Sequence, residues 1–341
     1  LRFFTFLLFT LLLFTPSLFA MTIMSYNVEN LFDTSDDPET SDEQYLPKNH
    51  PSKKKCKKQK NLYRQNQCLR SNWDEKQLSL KLKRLAKVID SSSAETTLDI
   101  LGLVEVENLA VVSRLNQSLS KPFDKIVVAP SSDARGIRGA LLLRSSKDLK
   151  WVSNREWKVE LPKRRTRSIL EVNILWRKKP YCFFVNHWPS QGSSTSSRLA
   201  AANTLSDILK GKKARKKDCT VVAMGDFNTL EYEDPDPFQI LKEAGLTDLT
   251  VKLRKNKKML GSYFFGPKLA WNYLDRFFIS KDQASAVSEQ DIRVYTSKLN
   301  SGVWEQKRVD NRFYGSRVVG TPKRFKAGGV SDHFPIILKL P

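Results

Sequence analysis

Three observations predict an α/β fold for this 341-residue chain. Short apolar runs recur along it, each closed by polar residues, as buried strands are. Segments with helical spacing of Leu, Val and Ile stand between several of those runs, and such alternation marks α/β architecture. The hydrophobic fraction, 40%, suffices for a sizeable core.

Residues 1–20 read as a leader outside the fold. Arg2 precedes an apolar run from Phe3 to Phe14, and Pro16-Ser17-Leu18-Phe19-Ala20 ends on a small residue suited to signal-peptidase cleavage. The run is short for a membrane span. Met21 offers an alternative start, but chance upstream translation rarely has this layout. The expectation is a secreted or periplasmic chain of residues 21–341, monomeric and without stable membrane insertion.

Met21 to Val28 reads as the first strand, with Asn27 near its end. Residues 33–72 then read as a long loop. Between 48 and 70 this loop carries nine Lys and Arg and no acid, Lys53, Lys54 and Lys55 among them. Such a block is a solvated loop or a clamp for a phosphate backbone. From Trp73 to Ser92, Leu78, Leu82, Leu85, Val88 and Ile89 share one helical face, with Asp74 suited to start the helix. Leu98 to Asn108 is a buried strand that ends in Glu105 and Glu107, and a helix from Leu109 to Leu119 follows. Strands are expected at Phe123–Pro130 and Gly139–Arg144, on either side of a loop that ends in Arg138. Trp151–Glu160 and Arg167–Trp176 resemble an antiparallel pair around the basic turn Pro162-Lys163-Arg164-Arg165, with core packing expected for Trp151 and Trp157. Tyr181–Val185 runs into Asn186-His187-Trp188. A helix over Arg198–Lys210 would aim Arg198 back at the strand ends. Further elements are a helix begun by Asp236-Pro237, a strand over Asn272–Ser280, a polar tract from Ser288 to Lys326 and a last strand after Ser331-Asp332-His333.

Charge and cysteines narrow the setting. Lys and Arg outnumber Asp and Glu 58 to 36, a formal charge of +22. Without Arg2 of the leader the balance is 57 to 36, still +21. So basic a surface attracts polyanions, either nucleic acid or an anionic membrane. Four cysteines fit an exported protein. Cys56 and Cys68 flank the charged segment and would staple it. Cys182 and Cys219 stand near the starts of two strands, either as a second bridge or as buried thiols.

The most informative stretch is Thr220 to Asn228. An apolar strand ends in Gly225-Asp226-Phe227-Asn228, and residues two apart in extended chain face one way, so a carboxylate and an amide point at one spot. Two of the three histidines, His187 and His333, also stand at strand edges. The pattern gathers Asn27, Glu105, His187, Asp226, Asn228, Asp275, Asp332 and His333 on one rim.

Six pieces carry a resemblance: Ser25-Tyr26-Asn27-Val28, Gly102-Leu103-Val104-Glu105-Val106, Asn186-His187-Trp188, Gly225-Asp226-Phe227-Asn228, Leu274-Asp275 and Ser331-Asp332-His333. In this order and spacing the chain resembles the endonuclease/exonuclease/phosphatase superfamily, the fold of deoxyribonuclease I. The resemblance implies a four-layer sandwich, two mixed β-sheets face to face with helices outside, and a divalent-metal phosphoesterase. It implies Glu105 as metal ligand with Asn27 and Asp332 as further ligands or supports. Oxygen ligation of that kind suits Mg²⁺ or Mn²⁺, with Ca²⁺ also compatible. Asp226 and Asn228 would orient the attacking water and hold the scissile phosphate. His333 would be the general base, supported by Asp275, and His187 would bind phosphate or protonate the leaving oxygen. Arg138 and, more weakly, Arg198 are candidates for phosphate binding. The family often has Gln before the metal-binding glutamate, where this chain has Val104; residues 33–72 exceed the compact family core and read as an insertion.

The superfamily also cleaves phosphoinositides and sphingomyelin, so fold alone does not choose a substrate. The net charge and the basic clusters at 48–70, 163–167 and 210–217 favour a long polyanion. The expectation is a nuclease for DNA, and for RNA as the secondary substrate. The alternatives are a lipid phosphodiesterase of the same fold and a basic nucleic-acid-binding protein without activity.

Overall fold

The structure, a computed structural model, describes residues 20–93, 97–162, 164–214, 219–255, 261–265, 270–296 and 329–341. Residues 1–19 of the expected leader 1–20, Lys163 of the basic turn, residues 215–218 of the third basic cluster and 297–328 of the polar tract lie outside the described residues.

Two six-stranded mixed sheets form the centre. In the first, β1 (Met21–Leu31) pairs in parallel with β2 (Ile100–Val106) and antiparallel with β14 (Ile336–Leu340). Strands β3 (Lys125–Val128), β4 (Arg138–Leu143) and β13 (Ile292–Val294) complete it in the order β13-β14-β1-β2-β4-β3. The second contains β5 (Leu149–Trp157), β6 (Ile169–Trp176), β7 (Lys179–His187), β8 (Thr220–Asp226), β9 (Leu246–Asp248) and β12 (Asp275–Ser280), in the order β5-β6-β7-β8-β12-β9. Strand β7 runs parallel to β8, whereas β12 is antiparallel to it. Two short strands, β10 (Tyr263–Phe265) and β11 (Ala270–Asn272), form a separate hairpin.

Alternation along each strand explains the layers. Ile23, Ile100, Val104 and Leu141 of the first sheet share one buried cluster with Val172, Phe183, Val222, Met224 and Phe277 of the second, so these faces pack together. The intervening Met24, Tyr26, Leu101, Leu103 and Leu142 point the other way, onto α2 (Glu75–Ser92) and α3 (Leu109–Gln117). Phe184, Ala223 and Phe278 face α4 (Thr195–Ala214) and α5 (Pro237–Glu243). The result is the four-layer α/β sandwich expected from the resemblance. The helices start where their caps dictate. Asp74 accepts from Gln77 N, Asn108 from Val111 N and Asp236 from Phe238 N.

The segment 33–72 differs from the long loop expected. Pro51–Lys58 is a 3₁₀ helix and Leu62–Arg70 is α1, with the Cys56–Cys68 disulfide joining them. Cys182 and Cys219 form a second disulfide, resolving the pairing left open by the sequence. Trp157 packs partly buried against the cluster between the second sheet and α4, as expected, whereas Trp151 is exposed at the sheet edge instead of in a core. Lys125 sits over the Trp151 ring, and Trp157 is covered by Arg155 while it donates to Glu171.

Candidate active site

The ends of β1, β2, β7, β8 and β12 meet at one edge of the sandwich. Pairing registers bring the residues together. His187 stands opposite Asp226 across the parallel β7–β8 pair, and Asp275 opposite Asp226 across β8–β12. Gly225 allows the close approach. Its φ is +130°, and a Cβ there would meet Asn186 O at 1.9 Å, so only glycine fits. Among the described residues, six non-glycine residues have positive φ, and four of them, Glu29, Asn30, Glu105 and Asn228, lie at this edge. Backbone held this way at a cluster of polar groups points to function.

The Asp226 carboxylate is the hub. Its Oδ2 accepts from Asn27 Nδ2 at 3.1 Å and lies 3.7 Å from His187 Nε2 and 3.8 Å from His333 Nε2. Its Oδ1 accepts from Asn228 N at 2.9 Å. Asn27 Nδ2 also reaches Glu105 Oε1 at 3.4 Å, and Glu105 Oε2 accepts from Asn30 N at 2.9 Å. Burial holds the Asp226 carboxyl above the usual carboxylate range, and the nearby Asp275 and Glu105 charges push the same way against His333.

The two histidines are shifted in opposite directions. Burial and the neighbouring Arg167, Arg135 and His333 hold His187 neutral. Burial also opposes charge on His333, but Asp275, Asp226 and Asp332 outweigh it and raise its pKa well above the ordinary value. The Asp275 bond is short, Nδ1 to Oδ2 at 2.7 Å, and Ser262 Oγ donates to the same oxygen at 2.7 Å. Ser331 fixes the approach, donating to Asn27 O at 2.7 Å and accepting from His333 N at 3.1 Å.

Several of the predicted residues do not join this group. Lys53 is buried at 5% exposure, and its Nζ donates to Gln44 O, Cys68 O and Ser71 Oγ, so it holds the stapled segment together and cannot touch a phosphate backbone. Lys55 pairs with Asp36, while Lys54 is exposed. Arg198 is 3% exposed, and its nitrogens bond Glu233, Ser190 O, Ser193 O and Thr195, which folds the 190–195 turn instead of meeting the strand ends. Arg138 donates to the carbonyls of Pro130, Gly136 and Glu107. It lines a neighbouring cleft of about 560 Å³ together with Arg164 and Arg165. Asn27 turns its amide nitrogen toward the acids, and its Oδ1 accepts from Glu29 N, so in this arrangement it supports Glu105 and is not itself an oxygen ligand.

Other residues at the site were not singled out by sequence reasoning. Arg167 is buried, donates to Trp188 O at 2.5 Å and lies 3.4 Å from Asp133, which also faces Arg135. Both arginines act electrostatically on His187. Lys81, at 0% exposure, crosses from α2 to donate to Val330 O at 2.5 Å, next to Ser331. Each reads in sequence as one more basic residue among 58. The useful signal was placement: Arg167 closes the basic turn, and Lys81 interrupts the apolar face of α2.

The donor set can be tested against a divalent cation. Among the described residues no three His, Cys, Asp or Glu side chains form a ready cage. Glu105 and Asp332 are nevertheless carboxylates, the ligand type a hard cation prefers. The crowding of acids around Asp226 is what an added cation would relieve. The chemistry fits an ion such as Mg²⁺, which keeps waters and shares substrate phosphate oxygens.

The sequence profile of the Endonuclease/Exonuclease/phosphatase family matches residues 22–71 and 65–341, and the chain belongs to that family. It is a family of hydrolases acting on phosphate esters. No curated protein matches. Among solved structures, an endonuclease/exonuclease/phosphatase family protein from Bacteroides thetaiotaomicron is 15% identical with a TM-score of 0.58, covering 94% of each chain. Truncated TDP2 from Caenorhabditis elegans is 14% identical with a TM-score of 0.55, over 95% of this chain and 98% of that one. A mannosyl-6-phosphatase from Bacteroides thetaiotaomicron is 14% identical with a TM-score of 0.53, over 94% and 99%. These likenesses establish the fold.

Proposed function

We propose that the chain is a divalent-cation-dependent phosphodiesterase that cuts nucleic acid, DNA foremost, within the chain. The observation that carries this reading is the meeting of Asp226, His187, Glu105 and the Asp275–His333 pair at one edge of a strongly basic molecule. Catalysis needs a water aimed at phosphorus, a proton acceptor and positive charge opposite the developing oxyanion. Asp226 and Asn228 orient the water. His333 takes its proton once it has released the one that Asp275 stabilises. As the water oxygen bonds to phosphorus, the P–O bond to the leaving oxygen breaks; His187, being neutral, holds a phosphate oxygen or the leaving oxygen through an N–H, and solvent supplies the proton that the leaving oxygen gains. Glu105 and Asp332 would hold the cation, which when bound neutralises phosphate charge.

Charge selects among substrates. One structural neighbour is named a mannosyl-6-phosphatase and another is TDP2 from D. rerio with a single-strand DNA product, so fold similarity leaves the substrate open. A small sugar phosphate, with the charge of one phosphate group, does not call for a charge of +22, whereas a polyanion does. No helix among the described residues is long and apolar enough to cross a membrane. Export of residues 21–341 as one domain, with residues 1–20 as leader, belongs to the same reading and agrees with two disulfides. The test is nicking of supercoiled plasmid with and without Mg²⁺ or Mn²⁺, run beside sphingomyelin and a sugar phosphate. Metal-dependent conversion to open circles and then fragments is expected. Turnover of lipid or sugar phosphate with intact plasmid would refute it.

A further inference from the structure

The stapled segment 43–73 carries a feature that the active site does not use. Leu62 and Tyr63, in the first turn of α1, are 71% and 69% exposed. Exposed cations surround them in sequence: Lys57, Lys58, Lys60 and Arg64, with no acid anywhere from 48 to 70. Tyr232 is equally open, but it lies among Glu231, Glu233, Asp234 and Asp236, where a polyanion would be repelled. Charge therefore singles out Tyr63.

The segment is firmly mounted beside the site. Tyr45 stacks on Phe32 with ring centroids 4.0 Å apart, and Trp73 Nε1 donates to Phe32 O, one residue beyond β1. Ser41 N donates to Ala134 O, in the loop that presents Arg135. The disulfide and the buried Lys53 amine fix the segment internally.

We propose that the knob is a second nucleic-acid contact, at which Tyr63, supported by Leu62, stacks on an unpaired base while the surrounding cations hold the phosphates. The inference rests on nucleic acid being the substrate. Stacking on an exposed aromatic suits single strands, whose bases are free, and needs no particular sequence. The polar companions on α1, Gln65, Asn66 and Gln67, favour a base over a lipid surface. A membrane-seated helix would present a broader apolar face.

The test uses the full chain carrying His333→Ala, to separate binding from cleavage, and labelled oligonucleotides as single strand and duplex. Adding Tyr63→Ala should weaken single-strand binding about tenfold, change duplex binding less than about twofold and leave the salt slope alone. Tyr63→Trp should restore affinity. Neutralising Lys57, Lys58 and Lys60 together should reduce the single-strand salt slope by about 2. Tyr63 is exposed, so an unchanged melting temperature is expected and checks the fold. If the parent chain cuts DNA but Tyr63→Ala binds both forms unchanged, the stacking contact is overturned alone. If Tyr63→Ala instead abolishes binding to phosphatidylglycerol vesicles, the knob serves a lipid surface and the proposal fails. If the parent neither binds nor cuts any nucleic acid, the substrate reading fails and takes this proposal with it.

Discussion

Lys53→Met separates two roles that adjacent lysines might share. Lys53 is buried and donates to Cys68 O at 2.9 Å, Ser71 Oγ at 2.7 Å and Gln44 O at 3.3 Å. Ser71 Oγ donates within reach of the same two carbonyls, so it can satisfy one of them after the substitution. The other is left unpaired, a loss of about 1–3 kcal/mol. Burial lowers the Lys53 pKa from 10.5 to about 8. Between those values the unfolded chain keeps the proton and the folded chain releases it, so the folded state of the parent gains as pH rises. Below pH 8 the penalty for the charge, about 3 kcal/mol, is fully present; above 10.5 it is gone. The deficit of Lys53→Met relative to the parent should therefore grow from pH 8 toward 10.5 in urea unfolding. At pH 7.5 its DNA-binding salt slope should equal that of the parent, whereas Lys54→Ala should keep full stability and lose about 0.9 from the slope. A flattened salt slope for Lys53→Met, with a stability difference from the parent that stays constant between pH 8 and 10.5, would refute the buried-hub account.

Other outcomes follow from the site. His333→Ala should lower kcat by about 10²–10⁴ while DNA affinity holds; equal losses of affinity and kcat would instead mean that the imidazole mainly binds substrate. Chelation of divalent cations should stop cleavage and leave the melting temperature within a few degrees, since disulfides and packed sheets maintain the fold. Cleavage that persists in excess chelator would remove Glu105 and Asp332 from their assigned role. Reducing the Cys56–Cys68 and Cys182–Cys219 bridges, with separations of 12 and 37 residues, should lower stability by about 3 and about 4 kcal/mol by the chain-entropy model, measured by urea unfolding with and without reductant. Lys81→Met should lower kcat by loosening the 330–333 approach while melting stays near the parent value, because a buried charge leaves with the hydrogen bond. A large drop in melting temperature would make Lys81 chiefly a structural residue.

The strands and their polar edge could be read from local spacing, and the layers only through the resemblance carried by the six motifs. A run such as Met21-Thr22-Ile23-Met24 is apolar on both faces, so it marks a buried strand, and the fold decides that Ile23 meets the partner sheet while Met24 meets the helices. The Asx and Glu residues closing strands were legible because a polar group ending an apolar run is conspicuous. Tertiary structure decided which cations matter. Lys53, Lys54, Arg138, Arg167 and Arg198 look alike in sequence, yet one is a buried hub, one is exposed, one binds carbonyls, one faces the site and one folds a turn. A long side chain's partner depends on which strands and loops converge on it, as far along the chain as 35 residues for Arg198 and 249 for Lys81. The charge states of His187 and His333 were likewise beyond sequence, because they are set by the arginines and carboxylates that the fold places beside each ring.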